Sequence, residues 1–328
     1  MPRYRPGSGC TAAKDAIRTA RERSRMQTPA PVDYARAHSV EEALELLERY
    51  GPESRLIAGG HSLIPMMRLR IAQPERVIDI NDLTELDYIR LVASSPDLYG
   101  GSSYLAIGAL TRHKSILASA VIGEHYKILH DAENVIADPI VRNRGTIGGS
   151  LCQADPAEDL SAVAATLHAD VVLRSSTGTR VVPAREFTDG PYDTVLDDAE
   201  MLVEVRIPIR PGSGSAYEKV ERRAGDWAVA SAGAFLVLDG NTVTDVGIGL
   251  AAVGADHGCA PDAEDYLRGK ALSADTIAEA GRLAAQCCSP SADQRGPVIY
   301  KKHLADELTR RALRRAAARA GWRTQEGN

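Results

Sequence analysis

Ala58-Gly59-Gly60-His61-Ser62 closes the apolar run Arg55-Leu-Ile-Ala58, and Thr146-Ile147-Gly148-Gly149-Ser150 repeats its chemistry further along the chain. Each is a glycine pair followed closely by a hydroxyl. Glycine tolerates positive φ and lets a backbone approach a ligand closely, and successive N–H groups in such a turn can converge on an anion. Two such turns can hold the two phosphates of one dinucleotide from opposite sides. Neither is G-x-G-x-x-G, which argues against a Rossmann site, and neither is followed by Lys-Ser or Lys-Thr, which argues against a P-loop. Two ordinary tight turns are the bland alternative.

The second turn lies in a dense neighbourhood. Arg142 and Arg144 precede it and place positive charge beside a phosphate site. Asp155 and Asp159 follow it, and either carboxylate can accept from ribose or ribityl hydroxyls. Asp159 also reads as a helix N-terminal acid, because Pro156-Ala-Glu-Asp159 opens the apolar segment that begins at Leu160.

The pattern around these turns mixes strands and helices without strict alternation, which is α+β. Ser39-Val-Glu-Glu42 is a capping box that starts a helix, with Gly51-Pro52 to stop it. Arg55–Ala58, Val77–Ile80 and Leu105–Leu110 read as strands, and Asp82-Leu-Thr-Glu85 as a second helix start. Val92–Ser103, rich in Ser, Gly and Pro, is a loop or hairpin insertion. Helix is expected over Lys114–Ile136 and Ala162–Ala169. Strands are expected at 170–173, 180–182, 201–209, 217–220, 228–238 and 242–253. Gly212-Ser-Gly-Ser215 marks a boundary or mobile loop. Helices at 275–288, capped by Ser273, and 301–320 end the pattern, the last with Leu304, Leu308 and Leu313 on one face.

The 328 residues, 44% hydrophobic and 25% charged, suit a globular chain of about two domains. The net charge of −5 argues against a nucleic-acid binder held by phosphate contacts. No apolar run is long enough to span a bilayer. Residues 1–25 are basic and read as a disordered extension, or as an over-long start with Met26 as the true first residue. The cysteines Cys10, Cys152, Cys259, Cys287 and Cys288 form no zinc or iron–sulfur motif, so no metal site is expected. No serine sits in a nucleophile elbow, and His61 and His113 read as packing or hydrogen-bonding residues, so no catalytic acid–base residue is assigned.

The residues that remain resemble a known family. Ala58–Met67, Asp79-Ile-Asn-Asp-Leu83, Ile107-Gly-Ala-Leu-Thr111, Val141–Ser150, Asp155–Asp159, Glu218-Lys219 and Gly225-Asp-Trp227 are similar to the FAD-binding medium subunit of the molybdenum hydroxylases, nearest the medium chain of aerobic carbon monoxide dehydrogenase. The resemblance implies a two-subdomain FAD-binding fold of the vanillyl-alcohol-oxidase type over residues 26–210, divided at about 83. It implies a C-terminal α+β domain with a three-stranded sheet and helices over 215–322.

The resemblance also implies site residues. Ala58, Gly59, Gly60, His61 and Ser62 would form one FAD turn and Thr146, Ile147, Gly148, Gly149 and Ser150 the other, both touching pyrophosphate through backbone N–H groups. Asp159 would bind the polar chain of the cofactor and Leu202 would pack near the flavin. Lys219 would sit at the polar edge of the ring, where a cation stabilises the charge of reduced flavin. Trp227 would lie on the ring face. Ser150 stands where many relatives carry Asn, and Trp227 where some carry Tyr; the basic stretch before Met26 and the insertion at 92–103 are extra.

The partners implied are a large molybdopterin subunit and a small [2Fe–2S] subunit, in a dimer of heterotrimers located in the cytoplasm or peripherally at the inner face of the membrane. Electrons would pass from the clusters through FAD to a quinone, cytochrome or oxygen. Two rival functions stay open on the residues alone: a self-contained flavin oxidase or reductase, and a non-catalytic assembly module.

Overall fold

The computed structural model describes residues 28–93 and 99–322. The basic stretch 1–25 and part of the 92–103 insertion lie outside the described residues. The chain opens with β1 (Asp33–Arg36), α1 (Val40–Tyr50), β2 (Ser54–Ile57), α2 (Leu63–Arg68) and β3 (Arg76–Asp79). The strands form a parallel sheet in the order β1-β3-β2, with Leu56 beside Ile78. Helix α1 begins where Ser39 Oγ accepts from the Glu42 N–H at 3.1 Å. The reciprocal arm of the expected box reaches one residue further back: Glu42 accepts from the His38 N–H at 2.7 Å. Ala43, Leu44 and Leu47 bury against Ile78 and Leu83.

The expected helix start at Asp82–Glu85 yields only one 3-10 turn, Thr84–Leu86. Leu83 and Leu86 are buried there, and the chain then runs extended into β4 (Ile89–Val92), so the turn acts as a plug between two sheets. β4 and β5 (Tyr104–Gly108) pair antiparallel, which makes the insertion between them a hairpin connection. The helical stretch expected over 114–136 is built as three pieces: α3 (His113–Ala118), α4 (Ala120–His125) and α5 (Lys127–Val135). Ser119 breaks the first junction by capping α4 through the Ile122 N–H. Tyr126 breaks the second; it is buried and its hydroxyl is tied to the Pro208 carbonyl. Then come α6 (Pro139–Arg144), α7 (Ile147–Gln153), α8 (Asp159–Thr166), β6 (Asp170–Ser175), β7 (Gly178–Pro183) and β8 (Met201–Pro208). The five strands are antiparallel in the order β4-β5-β8-β6-β7.

The third layer is β9 (Gly214–Glu221), β10 (Ala228–Asp239) and β11 (Thr242–Ala251), an antiparallel sheet in the order β11-β10-β9, with α9 (Pro261–Leu267), α10 (Ala274–Gln286) and α11 (Val298–Arg319) against it. The sequence pattern shows no helix at α9. It suggests a boundary or a mobile loop at Gly212–Ser215; β9 begins inside that stretch, at Gly214, whose bare α-carbon lies against the Ala316 carbonyl of α11. Leu304, Leu308 and Leu313 are buried on the sheet face of α11, as their spacing requires.

The third sheet also holds α8. A Cβ on Gly233, Gly247 or Gly249 would overlap Thr166 or the carbonyls of Thr166 and Ala162. These strands are rich in Ala and Gly because a helix lies almost on their backbone. That approach carries the N-terminus of α8, with Asp159, up to β9. The architecture is therefore two sheet-and-helix parts, the first on a parallel and the second on an antiparallel sheet, followed by a domain with a three-stranded antiparallel sheet and helices.

Candidate functional site

A cavity of about 940 Å³ opens between the first sheet, the second sheet and the β9–β10 hairpin. Ala58, Gly59, Gly60, His61 and Ser62 line one wall; Thr146, Gly148, Gly149 and Ser150 line the facing one; Asp159, Leu202, Lys219 and Trp227 complete it. Of the residues of the two glycine turns, Ile147 is the exception. Its side chain is buried in the core and its N–H donates to the Thr111 carbonyl at 3.1 Å, so it is a packing residue. Asp155 is another correction. It faces a neighbouring hollow, where it accepts from the Ala157 N–H and the Tyr192 hydroxyl. Arg142 is committed to carbonyls at the end of α5, donating to Ile136 O at 2.8 Å.

The two glycine turns differ in kind. In the first, Gly60 has φ +74° and the chain turns out of β2 toward α2. Among the described residues, the N–H groups of Gly59, Gly60, His61 and Ser62 have no acceptor. The second is the first turn of α7, with Thr146 as its N-cap accepting from the Gly149 N–H at 3.1 Å. Gly148 donates to Ala109 O at 2.9 Å and Ser150 to Thr146 O at 3.0 Å. The expectation that this turn presents its amides to a ligand is corrected: they are spent inside the chain. What it offers the cavity is the exposed backbone of Gly149 and the Ser150 hydroxyl, which donates to Glu158.

Asp159 and Lys219 meet in a buried ion pair at 2.9 Å. Lys219 Nζ also donates to Val135 O at 3.1 Å, and Asp159 accepts from the Tyr217 hydroxyl at 2.7 Å. Burial pushes the Asp159 carboxyl up to about 6, against the opposing pull of Lys219 and Tyr217. Both oxygens of Asp159 therefore already have donors from β9. Trp227 stands at the mouth of the cavity with 44% of its surface exposed, so it is not a core residue.

Several residues of the site carry no assigned role in the sequence pattern. Tyr217 stands two places before Lys219 on β9, so strand alternation puts both on one face; that signal was available. Glu158 caps α8 through the Ser161 N–H at 2.7 Å while receiving Ser150. His113 and Glu133 form a buried pair at 3.0 Å beneath Gly145. Burial presses the imidazolium down, but the Glu133 hydrogen bond and charge outweigh it and hold His113 above the usual imidazole value. Only the packing of α3 on α5 brings these two together, and sequence spacing does not reveal it.

Residues 27–210 match the family described as the FAD binding domain in molybdopterin dehydrogenase. The chain belongs to that family. Residues 215–316 match the CO dehydrogenase flavoprotein C-terminal domain. The chain is 39% identical over 292 residues to the carbon monoxide dehydrogenase medium chain of Hydrogenophaga pseudoflava, covering 89% of this chain and 99% of that one. It is 35% identical to the glyceraldehyde dehydrogenase medium chain of Sulfolobus acidocaldarius, covering 88% and 99%. Among solved structures, the carbon monoxide dehydrogenase from Hydrogenophaga pseudoflava that lacks the Mo-pyranopterin moiety of its cofactor superposes with a TM-score of 0.83 at 40% identity, covering 89% and 99%.

The cavity suits the FAD of this family on its own terms. It joins a row of unpaired backbone donors, fit for phosphates, to a buried cation and an apolar wall, fit for a flavin ring. A Cβ on Gly59 would overlap the Arg144 carbonyl, so only glycine lets this turn lie so close to the facing segment. As a family member, the chain is an FAD-dependent oxidoreductase subunit. Among the described residues, no helix is long and apolar enough to cross a membrane, and no group of His, Cys, Asp and Glu is arranged to hold a metal.

Proposed function

We propose that this chain is the FAD-carrying medium chain of a heteromeric molybdenum hydroxylase. A large subunit with the molybdenum centre oxidises the substrate, a small subunit with [2Fe–2S] clusters relays the electrons, and they leave through the FAD of this chain to an external acceptor. The assembly is a dimer of heterotrimers, in the cytoplasm or peripheral at the inner face of the membrane. We assign the FAD-binding region to residues 26–210, with subdomains about 26–83 and 84–210, and the C-terminal domain to 215–322. The observation that carries the reading is the single cavity lined by the Gly59–Gly60 turn, Asp159 and Lys219.

FAD, when bound, supplies the ability to take up and release electrons. The residues of this chain bind and orient it. The N–H groups of Gly59 to Ser62, free among the described residues, hold the diphosphate from one side, with the Ser62 hydroxyl as an added donor; the Ser150 hydroxyl is already given to Glu158. Thr146, Gly148 and Gly149 contribute shape on the facing side, because their small atoms leave room. Asp159 and Lys219 meet the polar chain and the ring edge, where Lys219 favours negative charge. Leu202 forms an apolar wall, and Trp227 shields the mouth from water. No acid–base residue is required of this chain.

Neither carbon monoxide nor any other substrate is assigned, because relatives of similar identity carry different substrate names. The test is co-expression with the large and small subunits. The expected result is one flavin per medium chain, reduced by substrate only when the cluster subunit is present. A complex without the oxidised-flavin absorbance would overturn the reading. Reduction by substrate of the isolated chain would instead favour a self-contained oxidase.

A further inference from the structure

Asp79 and Asn81 belong to a motif, and Arg112 directly follows another, that the functional reading leaves without a task. Asn81 follows β3 and is fixed by Asp79, whose Oδ1 accepts from the Asn81 N–H at 2.9 Å and from Asn81 Nδ2 at 2.8 Å. Tyr34 donates to the other Asp79 oxygen at 2.8 Å. Asn81 Nδ2 also donates to the Ala58 carbonyl at 2.6 Å. Its Oδ1 accepts from Arg112 Nη2 at 2.8 Å, while Arg112 Nη1 donates to the Arg144 carbonyl. That same Arg144 carbonyl is the group against which the bare α-carbon of Gly59 rests. One Asn–Arg pair therefore grips the residue before the first glycine turn and the carbonyl packed on it.

Peptide geometry gives this grip a consequence. In a trans peptide the C=O of one residue and the N–H of the next point in opposite directions. Holding Ala58 C=O on Asn81 turns the Gly59 N–H away from Asn81. Likewise His61 Nδ1, 3.0 Å from Gly59 O, fixes the next peptide and with it the Gly60 N–H. The unpaired donors of the first turn are thus aimed by side chains that do not themselves line the phosphate wall, His61 apart. Arg112, on the second-sheet side of the cavity, ties that aim to the α6–α7 junction.

We propose that Asn81 and Arg112 are positioning residues: together they orient the Gly59–Gly60 amides and clamp the two walls of the cavity, and so set the affinity for FAD. This rests on the functional reading above. Neither side chain needs to touch the cofactor. A clamp differs from simple charge attraction, because Arg112 acts through two bonds of fixed direction, which a guanidinium makes and an ammonium does not.

The test uses the full chain, stripped of FAD and titrated with FAD by quenching of flavin fluorescence, with thermal unfolding of each FAD-free protein measured alongside. Asn81→Ala and Arg112→Ala should each weaken FAD binding about tenfold or more. The double variant should bind little worse than the weaker single, because the two act as a unit. Unfolding temperatures of the FAD-free proteins should stay within a few degrees of wild type. Arg112→Lys should remain weakened; binding equal to wild type would show that charge alone matters and would overturn the clamp. Unchanged affinity in both alanine variants, strictly additive losses, or losses fully tracked by unfolding would also overturn it. If Asn81→Ala does not fold, Asn81→Asp keeps the acceptor for Arg112 but loses the donor to Ala58, and the same loss of affinity is expected. Wild-type chain that takes up no FAD would sink the functional reading itself, an outcome distinct from variants that bind as well as wild type.

Discussion

The two Gly-Gly turns share a signature and do opposite jobs. At Gly59–Gly60 the backbone leaves the sheet with its amides unpaired among the described residues, and absence of a side chain lets Gly59 sit against the Arg144 carbonyl. At Gly148–Gly149 the same pair lies inside a helix, its amides are paired within the chain, and the α-carbon of Gly148 packs on Ala109. One turn supplies donors; the other supplies clearance. The difference comes from the acceptors each pair meets: Gly148 donates to the Ala109 carbonyl and Gly149 to the Thr146 hydroxyl. Thr146 caps a helix through its hydroxyl, whereas Ser62 stands at the cap position of α2 without making a capping bond.

That contrast can be broken at its foundation first. His113 and Glu133 lie under Gly145, at the entrance to the second turn. Glu133→Ala should cost about 3–5 kcal/mol, because it leaves a buried imidazole without its partner; chemical denaturation of the FAD-free chain measures it. A cost below about 1 kcal/mol would show that the second wall does not depend on this pair.

Gly59→Ala should come next. The added Cβ meets backbone rather than a flexible side chain, so about 1–3 kcal/mol of overpacking strain is expected, together with loss of retained flavin after gel filtration. Retention of flavin at the wild-type level would mean the first turn does not form the site.

A sharper comparison sets the two hydroxyls against each other. Thr146→Ala removes a helix cap and should cost about 1 kcal/mol. Ser62→Ala removes no cap and should change stability by less than about 0.5 kcal/mol, yet weaken FAD binding. Equal effects on stability would erase the distinction drawn between the turns.

The smallest effect concerns pH. The Asp159 carboxyl is raised to about 6 in the fold, from an ordinary value of 3.8. The folded chain then binds this proton more readily than the unfolded chain does. The contribution of Asp159 to stability is therefore full below the unfolded value and lost as pH rises through about 6. The stability of wild type relative to Asp159→Asn should fall between about pH 4 and 6.5 and level off above. A difference that rises over that interval would mean Lys219 and Tyr217 outweigh burial.

Much of the fold was legible because it rests on local chemistry. The Ser39 and Ser273 caps, the apolar run before Gly59 and the stripe of Leu304, Leu308 and Leu313 each announce an element through short-range bonds or period. The failures were also local. The helical pattern of Lys114–Ile136 does not show its two breaks, because nothing in its period reveals that Tyr126 is needed under β8, and Asp82–Glu85 carries a start signal that burial of Leu83 and Leu86 overrides. In the site, the sequence singled out the glycines, Asp159 and Lys219 but not the residues bonded to them, because Tyr217, Glu158, Asn81 and Arg112 act through contacts between distant segments.

By itself the sequence determined where glycine and hydroxyl chemistry could form anion-binding turns, which segments bury a face, and to which family the chain is similar. Only the tertiary structure decided which turn keeps its amides free, that Lys219 is already paired with Asp159, and that Ile147 faces the core. Residue type sets what a group can donate or accept. Whether that capacity is still available to a ligand depends on which other groups the fold brings within reach, and a hydrogen bond already made inside the chain looks no different in the sequence from one left open.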